Sequence, residues 1–330
     1  MAHDLPDPAI PCRIHSRLGA DALDVLTRHW PALYAQDLQA TPFQSPKWLA
    51  STIRLLPPTA TPLILAATTA GGRIVAALAL ARHRDRSRIR FRPLSAPDTG
   101  HLHLVGPHAE DEAIARALAL HLLLWQEAGA DVTLPGLRAD TALGSAVRAI
   151  CHDSLTTDGP ASSVVALPFD FGALAPSRQR EHARRCRHWT HLAAGHTITY
   201  RRSHHQQGLL SGLDVLASLH ASAQHHHAGP TCASEWRDAV PAIGAKVAFV
   251  ADLHVDDTPV AAQLCLTRGR RCYSVQQVAH PAYRHLAPAH ALLRHLLDDL
   301  AQEGFHTLDP GHGTSPGASA APKASIRLAA

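Results

Sequence analysis

The chain is expected to be an α/β protein of two successive halves, each a mixed, largely antiparallel sheet flanked by helices. Three observations carry this expectation. Strand-like apolar runs bounded by turn signals follow one another at 62–68, 73–82, 88–94 and 101–105, the pattern of an antiparallel meander. A long amphipathic helix (110–128) and a short strand (131–135) come directly after it. The same succession of helices, meander, long helix and short strand recurs beyond residue 160. At 330 residues the chain has the length of two domains of roughly 150 residues each, and the composition changes around Asp158-Gly159-Pro160, so the boundaries are set at 1–158 and 159–330.

Composition narrows the function classes. Hydrophobic residues at 46% and charged residues at 18% describe a globular protein, and 31 basic against 27 acidic residues is too weak an excess to imply DNA binding. The 26 histidines sit near their own pKa of about 6.5, so the surface gains positive charge in mild acid. The six cysteines form no C-x-x-C pair and read as scattered thiols of a reducing compartment. Neither a basic segment leading into an apolar one at the start nor an uninterrupted apolar run approaching 18 residues is found, so a cytoplasmic protein without membrane spans is expected.

The elements follow in order. Residues 1–12, with several prolines, read as an irregular lead-in. Leu23, Val25, Leu26, Trp30 and Leu33 have helical spacing over 21–33, and Ser45-Pro46-Lys47-Trp48-Leu49 starts a helix with Ser as cap and Pro in the first turn. After the meander, acidic Glu110, Asp111 and Glu112 suit a helix N-terminus, Ile114, Leu118, Leu122 and Trp125 share a face, and Gly129 ends the helix. A helix over 141–151 closes the first half. The second half opens with a strand at 162–167 and a very basic helix over 176–194 carrying Arg178, Arg180, Arg184, Arg185 and Arg187, read as a solvated face or an anion-binding surface. A strand (196–201), a helix (209–224) and three strands (245–255, 258–267, 271–278) come next. A two-residue turn at Arg268-Gly269 would set Cys265 against Cys272, as two packed thiols rather than a disulfide, and put Gln263, Ser274 and Gln276 on one face.

The chemistry is expected in 271–313, which reads as strand, loop, amphipathic helix and a second short strand ending in an acidic, Gly-rich loop. Arg284-His285-Leu286-Ala287-Pro288-Ala289 lies where the loop becomes the helix, and a first turn has unpaired N–H groups and partial positive charge suited to an anion. Leu292, Leu293, Leu296, Leu297 and Leu300 are its core face. The His225-His226-His227 run with Cys232 fits no standard zinc spacing, and His101 with His103 lacks a third ligand, so no metal is expected.

Four stretches together resemble the GNAT acyltransferase superfamily, specifically its CelD-like branch, related to the FemAB-like aminoacyltransferases: Phe43 to Leu49, the basic helix around Arg184-Arg185, Leu219-His220, and the block with Leu286 to Ala289, Leu308-Asp309 and Pro322-Lys323. The resemblance implies two tandem GNAT-like domains, the first degenerate. It implies that acyl-CoA, acetyl-CoA above all, lies in the second, with pyrophosphate on Arg284, Ala287, Pro288 and Ala289 and the pantetheine arm along Gln276, Gln277 and Val278. Asp309 and His220 are the implied catalytic residues, and Lys323 and His312 the substrate contacts. Attack of an amine on a thioester needs a base within hydrogen-bond reach. The expected reaction is N-acyl transfer from acyl-CoA to a small-molecule or sugar amine. The alternatives are a FemAB-like ligase using aminoacyl-tRNA and a non-catalytic GNAT-like binding protein.

Overall fold

A computed structural model describes residues 12–85, 88–94, 101–138, 140–150, 155–157, 164–224, 233–310 and 326–328. The chain divides into two units, residues 1–160 with 322–330 and residues 161–321. The first contains β1 (Cys12–Leu18), α1 (Ala20–Arg28), α2 (Trp30–Gln36), α3 (Pro46–Arg54), β2 (Ala60–Thr69), β3 (Ile74–Asp85), β4 (Arg88–Pro93), α4 (Glu112–Glu127), β5 (Asp131–Leu134), α5 (Ala142–Ile150) and β6 (Leu155–Thr157). The second contains β7 (Val165–Ala166), α6 (Pro176–Ala193), β8 (Ile198–Arg202), α7 (Gln206–Gln224), α8 (Ala233–Ile243), β9 (Ala248–Val255), β10 (Thr258–Arg268), β11 (Arg271–Ala279), α9 (Pro288–Gln302) and β12 (Thr307–Asp309). β13 (Ile326–Leu328) returns to the first sheet.

Both sheets follow one plan. The orders are β1-β2-β3-β4-β5-β13-β6 and β7-β12-β11-β10-β9-β8. In each, four antiparallel strands are followed by a helical crossover, α4 or α9, to a parallel fifth strand, with a sixth strand antiparallel to that one. This is the mixed α/β architecture that the repeated pattern of the sequence implies. The sixth strand of the first sheet is drawn from the far end of the chain, which no local pattern announces.

Several elements differ from the sequence expectation for identifiable reasons. The helix expected over 21–33 breaks at His29, because Pro31 in the first turn of α2 cannot continue the hydrogen-bond ladder of α1. β1 was not expected; it is a largely exposed edge strand held by its pairing with β2. Residues 101–105 make only isolated bridges, Leu102 to Leu137 and Val105 to Ala77. They are held by a buried polar cluster instead. Gln44 Nε2 donates to the His101 carbonyl at 3.1 Å and lies 3.0 Å from His103 Nδ1, while Asp37 accepts from the N–H groups of Gln39, Ala40 and Gly106. The Phe43 to Leu49 stretch therefore serves the packing of the first unit, with Phe43 stacked on His101 and Ser45 capping α3.

In the second unit α9 buries Leu292, Leu293, Leu296, Leu297 and Leu300 on the sheet, about 2 kcal/mol each. α6 buries no residue fully; Trp189 and Leu192 pack partly against the core, and polar contacts worth about 1 kcal/mol apiece add to this. The β10–β11 turn has two residues, but Cys272 is paired with Thr267 and Cys265 with Ser274; both thiols are free and fully buried in the same core. A bulge at Val275 then reverses the alternation, so Gln276 stands opposite Leu264 and Gln277 opposite Gln263. Gln263, Ser274 and Gln276 accordingly do not share a face, contrary to the expectation from strict alternation. No helix among the described residues is long and apolar enough to cross a membrane.

α7 lies so close to β9 that a Cβ at Gly212 would stand 2.6 Å from the Val250 Cβ. Gly212→Ala is expected to lower stability by roughly 1–3 kcal/mol, read as a reduced urea midpoint with an unchanged slope.

Candidate functional site

The parallel pairing of β11 with β12 lasts three rungs, Arg271 with Thr307, Cys272 with Leu308 and Tyr273 with Asp309. β12 ends there, while β11 continues to Ala279. Beyond the Val275 bulge the two strands are no longer paired, and β11 offers backbone groups along a slot. The two glutamines at the slot face opposite ways. Gln277 Nε2 donates to Gln263 Oε1 at 3.0 Å and to the Ala289 carbonyl at 3.2 Å, on the α9 side of the sheet. Gln276 faces α7, as do Tyr273 and Asp309, because their neighbours Cys272 and Leu308 point into the core under α9.

The turn before α9 is a 3₁₀ helix, Pro281–Leu286, capped by the His280 ring and ending at Ala287. Ala287 has φ 51° and ψ 55°, left-handed values that cost a residue with a Cβ about 1 kcal/mol. Its N–H is used by the Arg284 carbonyl and its own carbonyl accepts from His290 and Ala291. α9 carries no side-chain cap, and Pro288 has no N–H, so Ala289 supplies the first-turn donor left for a ligand. The matching helix start in the first unit is closed. There Asp111 Oδ1 accepts from Ala113 and Ile114, placing the chain's own carboxylate where an anion would sit.

α6 lies beside the open turn. A cavity of about 440 Å³ is lined by Arg178, Glu181, His182 and Arg185 from α6 together with Gln277, Ala287, Ala289 and His290. Three contacts hold α6 there. The Trp189 indole N–H donates to the Leu286 carbonyl at 2.7 Å, His182 Nδ1 lies 3.0 Å from His290 Nε2, and Arg294 donates to the Cys186 sulfur. The His182 ring also stacks on Phe171. Glu181 is held down to about 2 by hydrogen bonds from Arg184 and then Arg185. The carboxylate thus offsets part of the charge of Arg184 and Arg185, while Arg178 brings a further guanidinium to the same cavity. His290 is pushed down to about 4, by burial first and by the charge of Arg185 and the neighbouring His182 after it. Burial, Arg294 and Arg185 lower His182 as well, so both imidazoles are neutral at pH 7.

On the α7 face, burial lowers the pKa of His220 and a contact with Gln276 opposes that shift. His220 Nε2 and Gln276 Oε1 are both buried and meet no partner among the described residues other than each other. Asp309 ends β12 with 3% of its surface exposed. Arg284 is exposed on the turn, Val278 is buried, and Lys323 and His312 lie outside the described residues. So does the run from His225 to Cys232. Among the described residues no group of three His, Cys, Asp or Glu side chains is arranged to hold a metal ion. The residues that sequence reading passed over are His182, Cys186, Trp189, His290 and Arg294. Their signal was the i, i+4, i+7 stripe of His182, Cys186 and Trp189, obscured by the arginines around it.

Residues 177–316 match the acetyltransferase (GNAT) domain family. The second unit has the GNAT acyltransferase fold. Comparison with curated protein sequences finds no match. Among solved structures, FemX is similar at 11% identity over 92% of this chain and 94% of its own, with a TM-score of 0.53, which shows a shared fold. A tandem GNAT protein from the clavulanic acid biosynthesis pathway aligns at 17% identity over 92% of each chain, with a TM-score of 0.49. A GCN5-related N-acetyltransferase from Sphaerobacter thermophilus aligns at 15% identity over 93% of this chain and 90% of its own, with a TM-score of 0.41.

The depressed pKa of His290 has a stability consequence. Between the unfolded value near 6.5 and the folded value of about 4, the unfolded chain binds the proton more readily. The contribution of His290 to stability is therefore complete above pH 6.5 and declines as pH falls toward 4. Thermal melts across this window are expected to show the decline, and His290→Gln to flatten it.

Proposed function

We propose that the chain is an N-acyltransferase that moves an acyl group, acetyl in the simplest case, from acyl-CoA to the amine of a small molecule or sugar. One observation carries the reading: the uncapped start of α9 opens on a cavity holding Arg178 and Arg185, beside the slot where β11 outruns β12. In this reading the pyrophosphate lies against the Ala289 N–H, with Arg284, Ala287 and Pro288 shaping the turn. Arg178 and Arg185 meet the remaining phosphate charge. The pantetheine arm follows the free edge of β11 along Gln276, Gln277 and Val278 and brings the thioester to the α7 face.

The chemistry assigned to this chain's residues follows. His220, kept neutral by burial, accepts the proton of the attacking amine directly or through one water. The amine adds to the thioester carbonyl, the tetrahedral adduct collapses, and the CoA thiolate leaves and is protonated. Gln276, in contact with His220, orients that imidazole toward the acceptor. Asp309 holds the acceptor or its base at the end of β12, and Lys323 and His312 are assigned to the acceptor from the family pattern. The order of the four motif stretches supports the CelD-like branch, and the scattered spacing of the six cysteines, none in a C-x-x-C pair, supports a cytoplasmic setting. The first unit is assigned a structural role because Asp111 already occupies its equivalent anion position.

A second reading keeps the fold and changes the donor to aminoacyl-tRNA. The exposed Arg180 and Arg187 of α6 and the fold shared with FemX favour it. Ribonuclease sensitivity of product formation separates the two donors.

The donor is expected to raise the melting temperature by mass action, by the equivalent of about 2.7 kcal/mol at a hundredfold excess over Kd. Acetyl-CoA and free CoA should both produce the shift, and Arg178→Ala with Arg185→Ala should reduce it; no shift at millimolar ligand would overturn the CoA reading. His220→Gln is expected to lower kcat by roughly 10²–10⁴-fold while leaving the CoA-induced shift intact.

A further inference from the structure

One backbone atom fixes the orientation of two glutamines beside the first turn of α9. Gln277 Nε2 lies 3.2 Å from the Ala289 carbonyl and 3.0 Å from the side chain of Gln263. A carbonyl oxygen only accepts, so the Gln277 atom that faces Ala289 is the amide nitrogen. That nitrogen carries two hydrogens, and the second goes to Gln263, which must therefore turn its oxygen, Oε1, toward Gln277. Both N–H groups of Gln277 are used by the protein. Its Oε1 accepts nothing from the described residues, on an exposed side chain that lines the 440 Å³ cavity. Gln263 is 2% exposed, and the one hydrogen bond its side chain makes among the described residues is the bond that Oε1 accepts.

The cavity wall thus has two chemically different parts. Arg178, Arg185 and the Ala289 N–H are donors, whereas Gln277 Oε1 is an acceptor. Ionised phosphate oxygens only accept, so the first part serves them and the second does not. Gln277 Oε1 is suited to a ligand group that bears an N–H.

We propose that Gln263 is a positioning residue that holds Gln277 so that its Oε1 accepts an amide N–H from the arm of the acyl donor, and that the pair selects donors with an amide-bearing arm over bare nucleotides. The inference rests on the CoA reading, whose pantetheine arm carries amide groups, and adds the atom that reads them. Gln263 acts through Gln277. The two stand opposite each other on β10 and β11 because the Val275 bulge brings Gln277 into that register. Without the Gln263 oxygen, one N–H of Gln277 still meets Ala289, but the other is released and the carboxamide can swing about its remaining bond. The loss of one neutral hydrogen bond of this kind changes an equilibrium about fivefold.

Isothermal titration of the full chain with CoA and with adenosine 3′,5′-bisphosphate, its nucleotide portion, tests the assignment. The unsubstituted chain is expected to prefer CoA by about tenfold or more. Gln263→Met, close to glutamine in length, should reduce that preference about fivefold by raising the Kd of CoA alone. Gln263→Glu keeps an oxygen for the Gln277 N–H and should restore the preference, and Gln277→Met should lower it at least as far as Gln263→Met does. A merely structural role would weaken both ligands alike. A preference that is absent from the unsubstituted chain, or unchanged by Gln263→Met, would overturn the proposal and leave the CoA reading standing. Failure of the unsubstituted chain to bind either ligand would overturn the CoA reading and this proposal with it. Should a Gln263 variant fail to fold, the two ligands on the unsubstituted chain and on Gln277→Met decide the matter, since Gln277 is exposed and lies outside the core.

Discussion

The brevity of one strand pairing governs the second unit. β11 and β12 share three rungs, and the Val275 bulge then turns the outer part of β11 away from the alternation of its inner part. A longer β12 would close the sheet and leave no slot; a β11 without the bulge would send Gln276 to the α9 face and Gln277 to the other. As built, Gln277 braces the first turn of α9 through the Ala289 carbonyl, while Gln276 meets His220 on the far side. A ligand that enters at the helix start can therefore present its reactive end to the opposite face of the sheet.

The two units show how one plan can be kept open or closed. α4 and α9 occupy the same place in their sheets, each crossing to a parallel fifth strand. Asp111 satisfies the start of α4 with two backbone hydrogen bonds, a cap worth about 1 kcal/mol. The start of α9 has no such cap and carries the left-handed Ala287 in addition. Local stability is thus given up at one helix start and retained at the other, and the strained one lies on the cavity.

α6 is the element whose role depends most on its neighbours. Its sequence is that of a solvated, arginine-rich helix, and none of its residues is fully buried. Yet Trp189, His182 and Cys186 fix it to the turn before α9 and to α9 itself, so its arginines are presented to a cavity instead of to bulk water alone. Contacts of this strength, about 1 kcal/mol each, hold a helix in place without locking it.

The sequence by itself determined the α/β class, the repeated plan, the meander strands up to residue 94, and the helix beginning at Pro288 with its leucine face. Those features follow from periodicity, caps and turn residues, which act over a few positions. It also marked the turn at Arg284 to Ala289, because a loop passing into a helix start with unpaired N–H groups is a local signal. The tertiary structure decided the rest. The Val275 bulge placed Gln276 and Gln277 on opposite faces, a register shift set by pairing with β10. The packing of α6 on α9 joined His182 to His290 and Cys186 to Arg294, each pair 108 residues apart. The segment Ile326–Leu328 entered the first sheet between β5 and β6. Such features arise from contacts between distant segments, and no local periodicity encodes them.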